Sequence, residues 1–172
     1  MKASPSRPVA EQHVWDELSK VSDPEIPVLS LVDLKIIRKV EVEGTRARIV
    51  LTPTFAGCPA LEAMKTDIMQ RLKSAGFSEV TVDVDFSGRW STDLLEDSAR
   101  EKLRSFGVAP PAKIGKNGGA RRDLAHALGE PVQCPHCGSM ETRLESFFGS
   151  SLCRQIFYCD ACLQSFDRFK PI

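Results

Sequence analysis

Four cysteines fall in two pairs of matched spacing: Cys134-x2-Cys137, then 21 residues, then Cys159-x2-Cys162. A C-x2-C loop brings two sulfurs onto one tetrahedral ion, with backbone N–H groups turned towards them, and two such loops make a closed four-thiolate site. The closed set leaves no position for a substrate water, so the expected metal is structural. Zinc is the expected ion, and rubredoxin-like iron is the alternative of similar geometry. A module of about 40 residues buries too little apolar surface to fold alone, and a metal supplies the deficit. The apolar part is aromatic: Phe147, Phe148, Phe157, Tyr158, Phe166 and Phe169. His136, between the first two cysteines, reads as a solvated loop residue because four sulfurs already fill the tetrahedron. Cys153 has no slot on the ion and reads as a buried thiol or as a second kind of sulfur.

Cys58 stands apart from these, in Thr52-Pro53-Thr54-Phe55-Ala56-Gly57-Cys58-Pro59. The segment reads as a strand-to-helix turn in which Gly57 lets the backbone pass closely and Pro59 suits a first helical position. At the mouth of a helix the dipole and free N–H groups favour a thiolate. Thr52 and Thr54 add hydroxyls nearby. The bland alternative is a cysteine that packs a turn. His13 and His126 are not placed to act as its base, which disfavours a cysteine-protease-like arrangement. Asp23 and Glu25 form a second polar cluster, either a helix stop beside a solvated acid or a pair of carboxylates facing the thiol.

The elements that must position these groups follow from periodicity. Val14, Trp15, Leu18 and Val21 share one helical face, with Pro8 suited to the first turn. Asp23-Pro24-Glu25-Ile26-Pro27 ends that helix. Strands are expected near 35–43 and 46–53, as a hairpin around Gly44-Thr45. A helix follows from about 59 to 75 on Leu61, Met64, Ile68 and Leu72, stopped by Gly76. Val80, Val82, Val84 and Phe86 alternate as a strand. Asp93 and Glu96 have capping-box spacing before a helix that ends at Gly107. The order α-β-β-α-β-α predicts an α+β domain with helices on one face of a small mixed sheet. Two strands, near 141–147 and 154–158, predict a β-ribbon beside the ion. The boundaries read as a first domain over 8–107, a linker over 108–131 with a short helical turn at Leu124–Leu128, and a ribbon over 132–172.

Composition narrows the function classes. The chain has 172 residues, with 23 basic and 23 acidic side chains, and so no formal net charge. A neutral chain has little long-range attraction for phosphate backbones, so nucleic acid is not an expected partner. No apolar run approaches the ~20 residues of a membrane span, and the N-terminus lacks the apolar stretch of a signal peptide. The expected location is cytoplasmic, where six cysteines mean metal or thiol chemistry rather than disulfides.

The Asp23-Pro24-Glu25 run together with the Cys58 turn resembles the small SufT-like domain associated with iron–sulfur protein maturation. The chain as a whole resembles the D subunit family of the phenylacetyl-CoA oxygenase (epoxidase) system. The stretches that carry this are DPEIPVLSLVDL at 23–34, TPTFAGCPA at 52–60 and RWSTDLLEDSAREKLRSFGVAPP at 89–111. CPHCGS at 134–139, FGSSLCRQIFYC at 148–159 and SFDRFK at 165–170 complete the set. The resemblance implies a SufT-like α/β sandwich followed by a zinc ribbon. It implies an accessory role in phenylacetate catabolism rather than oxygen activation, in assembling or inserting an iron–sulfur cluster. The expected recipient is the reductase component, with other oxygenase components or a homodimer as partners. Cys58, Asp23, Glu25, Thr52, Thr54 and Cys153 are then the candidates for handling a transient cluster, and the other four cysteines hold zinc. A non-catalytic adaptor that docks oxygenase components is the alternative. The chain departs from the family in having Lys35 where Gly usually follows Asp-Leu. Leu95 stands for a tryptophan, Ser151 for Thr and Ser165 for Pro.

Overall fold

The computed structural model describes residues 9–55, 57–88, 90–113 and 130–171. Pro8, His126 and the expected turn at Leu124–Leu128 lie outside the described residues. The described chain is α+β, with three α-helices and two small sheets in two compact units. One unit comprises residues 1–53 and 59–89, the other 54–58 and 90–172.

In the first unit, α1 (Val9–Leu18) buries Val14 and Leu18 completely, and Val21 continues that apolar face just past the helix end. Strands β1 (Ile37–Glu43) and β2 (Arg46–Leu51) pair antiparallel around Gly44, whose φ of 61° suits a two-residue hairpin turn. Helix α2 (Leu61–Ser74) crosses over to β3 (Glu79–Val84), which runs parallel to β2, giving the order β1-β2-β3. Met64, Ile68 and Leu72 bury the inner face of α2. Gly76, at φ 99°, ends it, with the Phe77 N–H closing on Leu72 O at 3.1 Å. Lys35 has φ 56°. The backbone there is left-handed, which is the physical reason a glycine suits this position.

The second unit is built on a four-stranded sheet ordered β4-β7-β6-β5, from β4 (Val108–Ala109), β5 (Thr142–Ser146), β6 (Arg154–Cys159) and β7 (Gln164–Phe169). Helix α3 (Asp97–Ser105) precedes β4, which pairs parallel with β7. Buried Arg100 of α3 donates to the carbonyls of Leu95 at 3.3 Å, Thr92 at 2.7 Å and Pro111, which ties the helix to the segments on either side. Trp90 is buried, with its ring 6.0 Å from that of Phe169.

The compact units divide the chain differently from the sequence boundaries 8–107, 108–131 and 132–172. Residues 90–107 group with the ribbon, and Val108–Ala109 is a ribbon strand. Several local expectations are corrected. Strand β3 stops at Val84, leaving Phe86 exposed beyond it. The Asp93–Glu96 capping box does not form. Ser91 accepts the Asp93 N–H at a short 3-10 turn, and α3 starts after Glu96 without a side-chain cap. Helix α2 begins at Leu61, so Pro59 sits in the turn before it rather than at its first position.

Candidate metal centre and thiol turn

The ribbon strands bring both cysteine pairs to one place. Cys134 and Cys137 precede β5, Cys159 ends β6, and Cys162 lies in the turn to β7. The four sulfurs all lie within 4.8 Å of one another. Cys134 and Cys162 sulfurs are 3.8 Å apart, and those of Cys137 and Cys159 are 3.6 Å apart. Zinc–sulfur bonds of about 2.3 Å in a tetrahedron require edges of about 3.8 Å, so the geometry fits the ion. A disulfide, at about 2.0 Å, is excluded.

Each pair sits in a tight turn closed by its own backbone. The Gly138 N–H reaches Cys134 O at 2.9 Å, and the Leu163 N–H reaches Cys159 O at 2.9 Å. Both closing residues are left-handed, Gly138 at φ 79° and Leu163 at φ 60°. Backbone N–H groups of Cys162 and Ala161 point at the Cys159 sulfur and pull its thiol down to about 7. Burial pushes Cys162 up to about 12. At Cys137 the Ser139 N–H pulls downward, but burial and the Cys159 sulfur raise the thiol on balance. The cage is packed from beneath by Ala109, Phe157 and Phe166, with Val132 and Leu144 alongside. Thr142 fastens the approach: its hydroxyl donates to Val132 O at 2.6 Å and accepts the Val132 N–H at 2.9 Å. Sequence reading missed Thr142 and Ala109. A threonine at the first position of a strand and a two-residue strand carry little signal by themselves. His136 is exposed, as expected, and lies edge-on to Phe166 at 6.3 Å.

Cys153 is separate from the four-sulfur group. It is buried in the β5–β6 loop, with its sulfur 3.1 Å from Ser151 Oγ and its carbonyl accepting the Lys170 N–H at 2.8 Å. Arg154 braces the same loop through Ser151 Oγ at 3.0 Å and Asp167 Oδ2 at 3.1 Å.

The thiol-turn residues divide between the units. Thr54 and Cys58 belong to the second, and Asp23, Glu25 and Thr52 to the first. Cys58 is half-buried and in no disulfide, and its N–H reaches Phe55 O at 3.2 Å. Thr54 is half-buried too. Asp23 is buried and organises its own bend: Oδ1 accepts the N–H of Glu25 at 2.8 Å and of Ile26 at 2.7 Å. The Asp23 N–H closes the loop on Leu29 O at 2.9 Å. Glu25 is half-buried on the same bend. Thr52 is 1% exposed, and among the described residues its hydroxyl has no hydrogen-bond partner. Its N–H is held by Ile36 O at 2.8 Å, one residue after the left-handed Lys35. A side-chain carbon on Gly88 would lie 3.2 Å from the Thr52 hydroxyl, so the 85–88 loop covers it closely. In that loop Asp85 accepts from the Ser87 hydroxyl at 2.5 Å and the Ser87 N–H at 2.8 Å, which holds its carboxyl below the usual range.

Residues 11–84 match the family model described as iron–sulfur cluster assembly protein, and residues 121–170 match the PaaD zinc beta ribbon domain. A relative from Escherichia coli, named as the putative D subunit of 1,2-phenylacetyl-CoA epoxidase, is 39% identical over 165 residues, 96% of this chain and 95% of its own length. The chain belongs to the phenylacetyl-CoA epoxidase D subunit family. Among solved structures, a domain of unknown function (DUF59) from Bacillus anthracis matches 54% of the chain and 90% of its own length, at 26% identity and a TM-score of 0.51. A conserved hypothetical protein from Thermotoga maritima matches 57% of the chain and 97% of its own length, at 24% identity and a TM-score of 0.48. Family membership and the assembly-type domain support an accessory role, and the ribbon match with the four-sulfur group supports zinc binding. No helix among the described residues is long and apolar enough to cross a membrane.

Proposed function

We propose that the chain is an accessory factor of a phenylacetyl-CoA epoxidase that helps deliver an iron–sulfur cluster to another component, the reductase being the expected recipient. One observation carries the reading: a single chain, aligned almost end to end with a D subunit of that enzyme, joins an iron–sulfur assembly domain to a zinc ribbon. Cys134, Cys137, Cys159 and Cys162 hold a structural zinc that fixes the ribbon and takes no part in the transfer. The assembly function is carried by the part that matches the assembly model, residues 11–84, and the unit that holds the ribbon strands and residues 90–109 carries the metal.

The cluster is cargo. Thiolates are its natural ligands, and Cys58 is the proposed protein ligand. One cysteine cannot hold a whole cluster, so a partner component or a second copy of the chain completes the set. Thr54, in the same unit as Cys58, supplies an oxygen atom for a weak, releasable contact, and Cys153 supports the loop rather than the cargo. The partially exposed thiol, outside any disulfide, supports this assignment. The protein itself performs no oxygen chemistry in this reading.

A structural adaptor is the second reading, favoured by Phe147, Phe148 and Leu152, three exposed apolar side chains on one braced ribbon loop. A Cys58→Ser chain separates the two. Co-expressed with the other components and purified without oxygen, it should give reductase deficient in iron and sulfide if the thiol carries cargo. Full cluster content in the reductase would leave the adaptor.

A further inference from the structure

The loop between β5 and β6 is built inside out. Ser151, Cys153 and Arg154 at its end are buried, while Phe147, Phe148 and Leu152 are exposed, Phe148 by 75%. Water alone favours the reverse, with the rings inside. The backbone enforces the arrangement. Ser146 Oγ donates to Phe148 O at 2.9 Å and accepts the Phe148 N–H at 3.1 Å. The Gly149 N–H reaches Arg154 O at 3.0 Å. A side-chain carbon on Gly149 would lie 2.9 Å from Arg154, so only glycine closes the loop this tightly. The Lys170 N–H holds Cys153 O at 2.8 Å, and Arg154 bridges Ser151 and Asp167. Apolar side chains grouped on a preorganised loop mark a contact surface. We infer that this loop docks on another protein component of the epoxidase, filling an apolar hollow edged by carboxylate groups.

Charge decides the kind of partner. Lys170 Nζ donates to Leu152 O at 2.7 Å and lies 5.7 Å from the centre of the Phe148 ring, so an ammonium sits within the apolar group. Among the described residues no carboxylate pairs with it. Asp167, on the strand that Lys170 follows, is already held by Arg154 and Ser150. The loop thus presents two rings, one aliphatic side chain and an unmatched positive charge, and a hollow with a carboxylate at its edge completes all of them. A second copy of the chain is a poor occupant, because two-fold pairing of this patch sets Lys170 against Lys170. A lipid surface is a poor one too. A single cation is no polybasic patch, and the chain carries no net charge to add to it.

The inference rests on the reading that the chain serves the epoxidase, and it holds whether the chain delivers a cluster or only adapts. The zinc-loaded full-length protein is titrated by calorimetry against each of the other purified epoxidase components. The parent should bind one of them. Phe148→Ala should weaken that binding about tenfold or more, and Leu152→Ala should weaken it as well, with zinc content and unfolding midpoint unchanged. Lys170→Gln, which keeps a donor for Leu152 O, should weaken it about threefold and flatten its salt dependence. Binding to none of the components, or a change under about threefold in both Phe148→Ala and Leu152→Ala, overturns the inference. Self-association in sedimentation that needs Phe148 overturns it in favour of a second copy. Phe148-dependent binding to vesicles of mixed phosphatidylcholine and phosphatidylserine overturns it in favour of lipid. Cys58→Ser should bind as the parent does. Should Phe148→Ala lose binding while Cys58→Ser leaves reductase clusters intact, the docking loop stands and the delivery role falls.

Discussion

Replacing Lys35 with glycine should make the protein more stable, although it removes a half-buried side chain. Lys35 has φ 56°, where an L-residue's Cβ crowds the backbone at a cost of about 1–2 kcal/mol. Glycine relieves that cost but gives the unfolded chain more freedom, returning about 0.5–1 kcal/mol. The balance is a gain of about 0.7 kcal/mol, or a melting temperature higher by about 2–5 °C. The Lys35 N–H bonds to Val32 O at 3.0 Å, and both variants keep it. Lys35→Ala supplies the control: it loses the same side chain but keeps the strain, so it should fall at or slightly below the parent. Urea unfolding of the three proteins, with equal slopes, measures the differences. Glycine no more stable than alanine would refute the claim that backbone handedness, rather than lysine's contacts, governs this position.

Thr52→Val should raise stability by about 1 kcal/mol by removing a buried hydroxyl that lacks a partner among the described residues, and leave cluster delivery unchanged because that hydroxyl is covered. Denaturation and reductase iron content check the two effects separately. Arg100→Met should cost about 2–4 kcal/mol, because three carbonyl acceptors lose a charged donor in a buried place, and hydrogen exchange should report the loss in the second unit. Glu17 links α1 to α2 through Arg71, and its hydrogen bond from Lys20, assisted by Arg71, holds its carboxyl below the ordinary 4.5. A lowered folded value means stabilisation present above about pH 4.5 and lost as acid protonates the group. Glu17→Gln should therefore lower stability at pH 7 and flatten the acid limb of a pH-stability curve. Cobalt should replace zinc and give a four-thiolate absorption spectrum that Cys159→Ser abolishes.

The sequence made the metal centre legible because cysteine pairs at x2 spacing have few other uses, and the structure gathers their sulfurs within bonding reach of one ion. The amphipathic faces of α1 and α2 were legible for the same kind of reason. Strand β7 was not. At one of its inward positions stands Arg168, fully buried over the ring of Phe157 at 5.5 Å, which breaks the apolar alternation that signals a strand. Strand β4 is too short to have a period, and its pairing with residues nearly sixty positions later is a tertiary fact. The allocation of Thr54–Cys58 to the ribbon's unit was hidden likewise, since local chemistry pointed to the helix that follows.

That allocation also fixes an order of events during synthesis. Residues 1–53 and 59–89 emerge from the ribosome early and contain a complete sheet with both of its helices. The rest of the unit that includes residues 54–58 is complete only when strand β7 has been translated, on the order of ten seconds later. The nascent protein thus passes through a period when its first sheet is made while the unit that shares residues 54–58 is still being added.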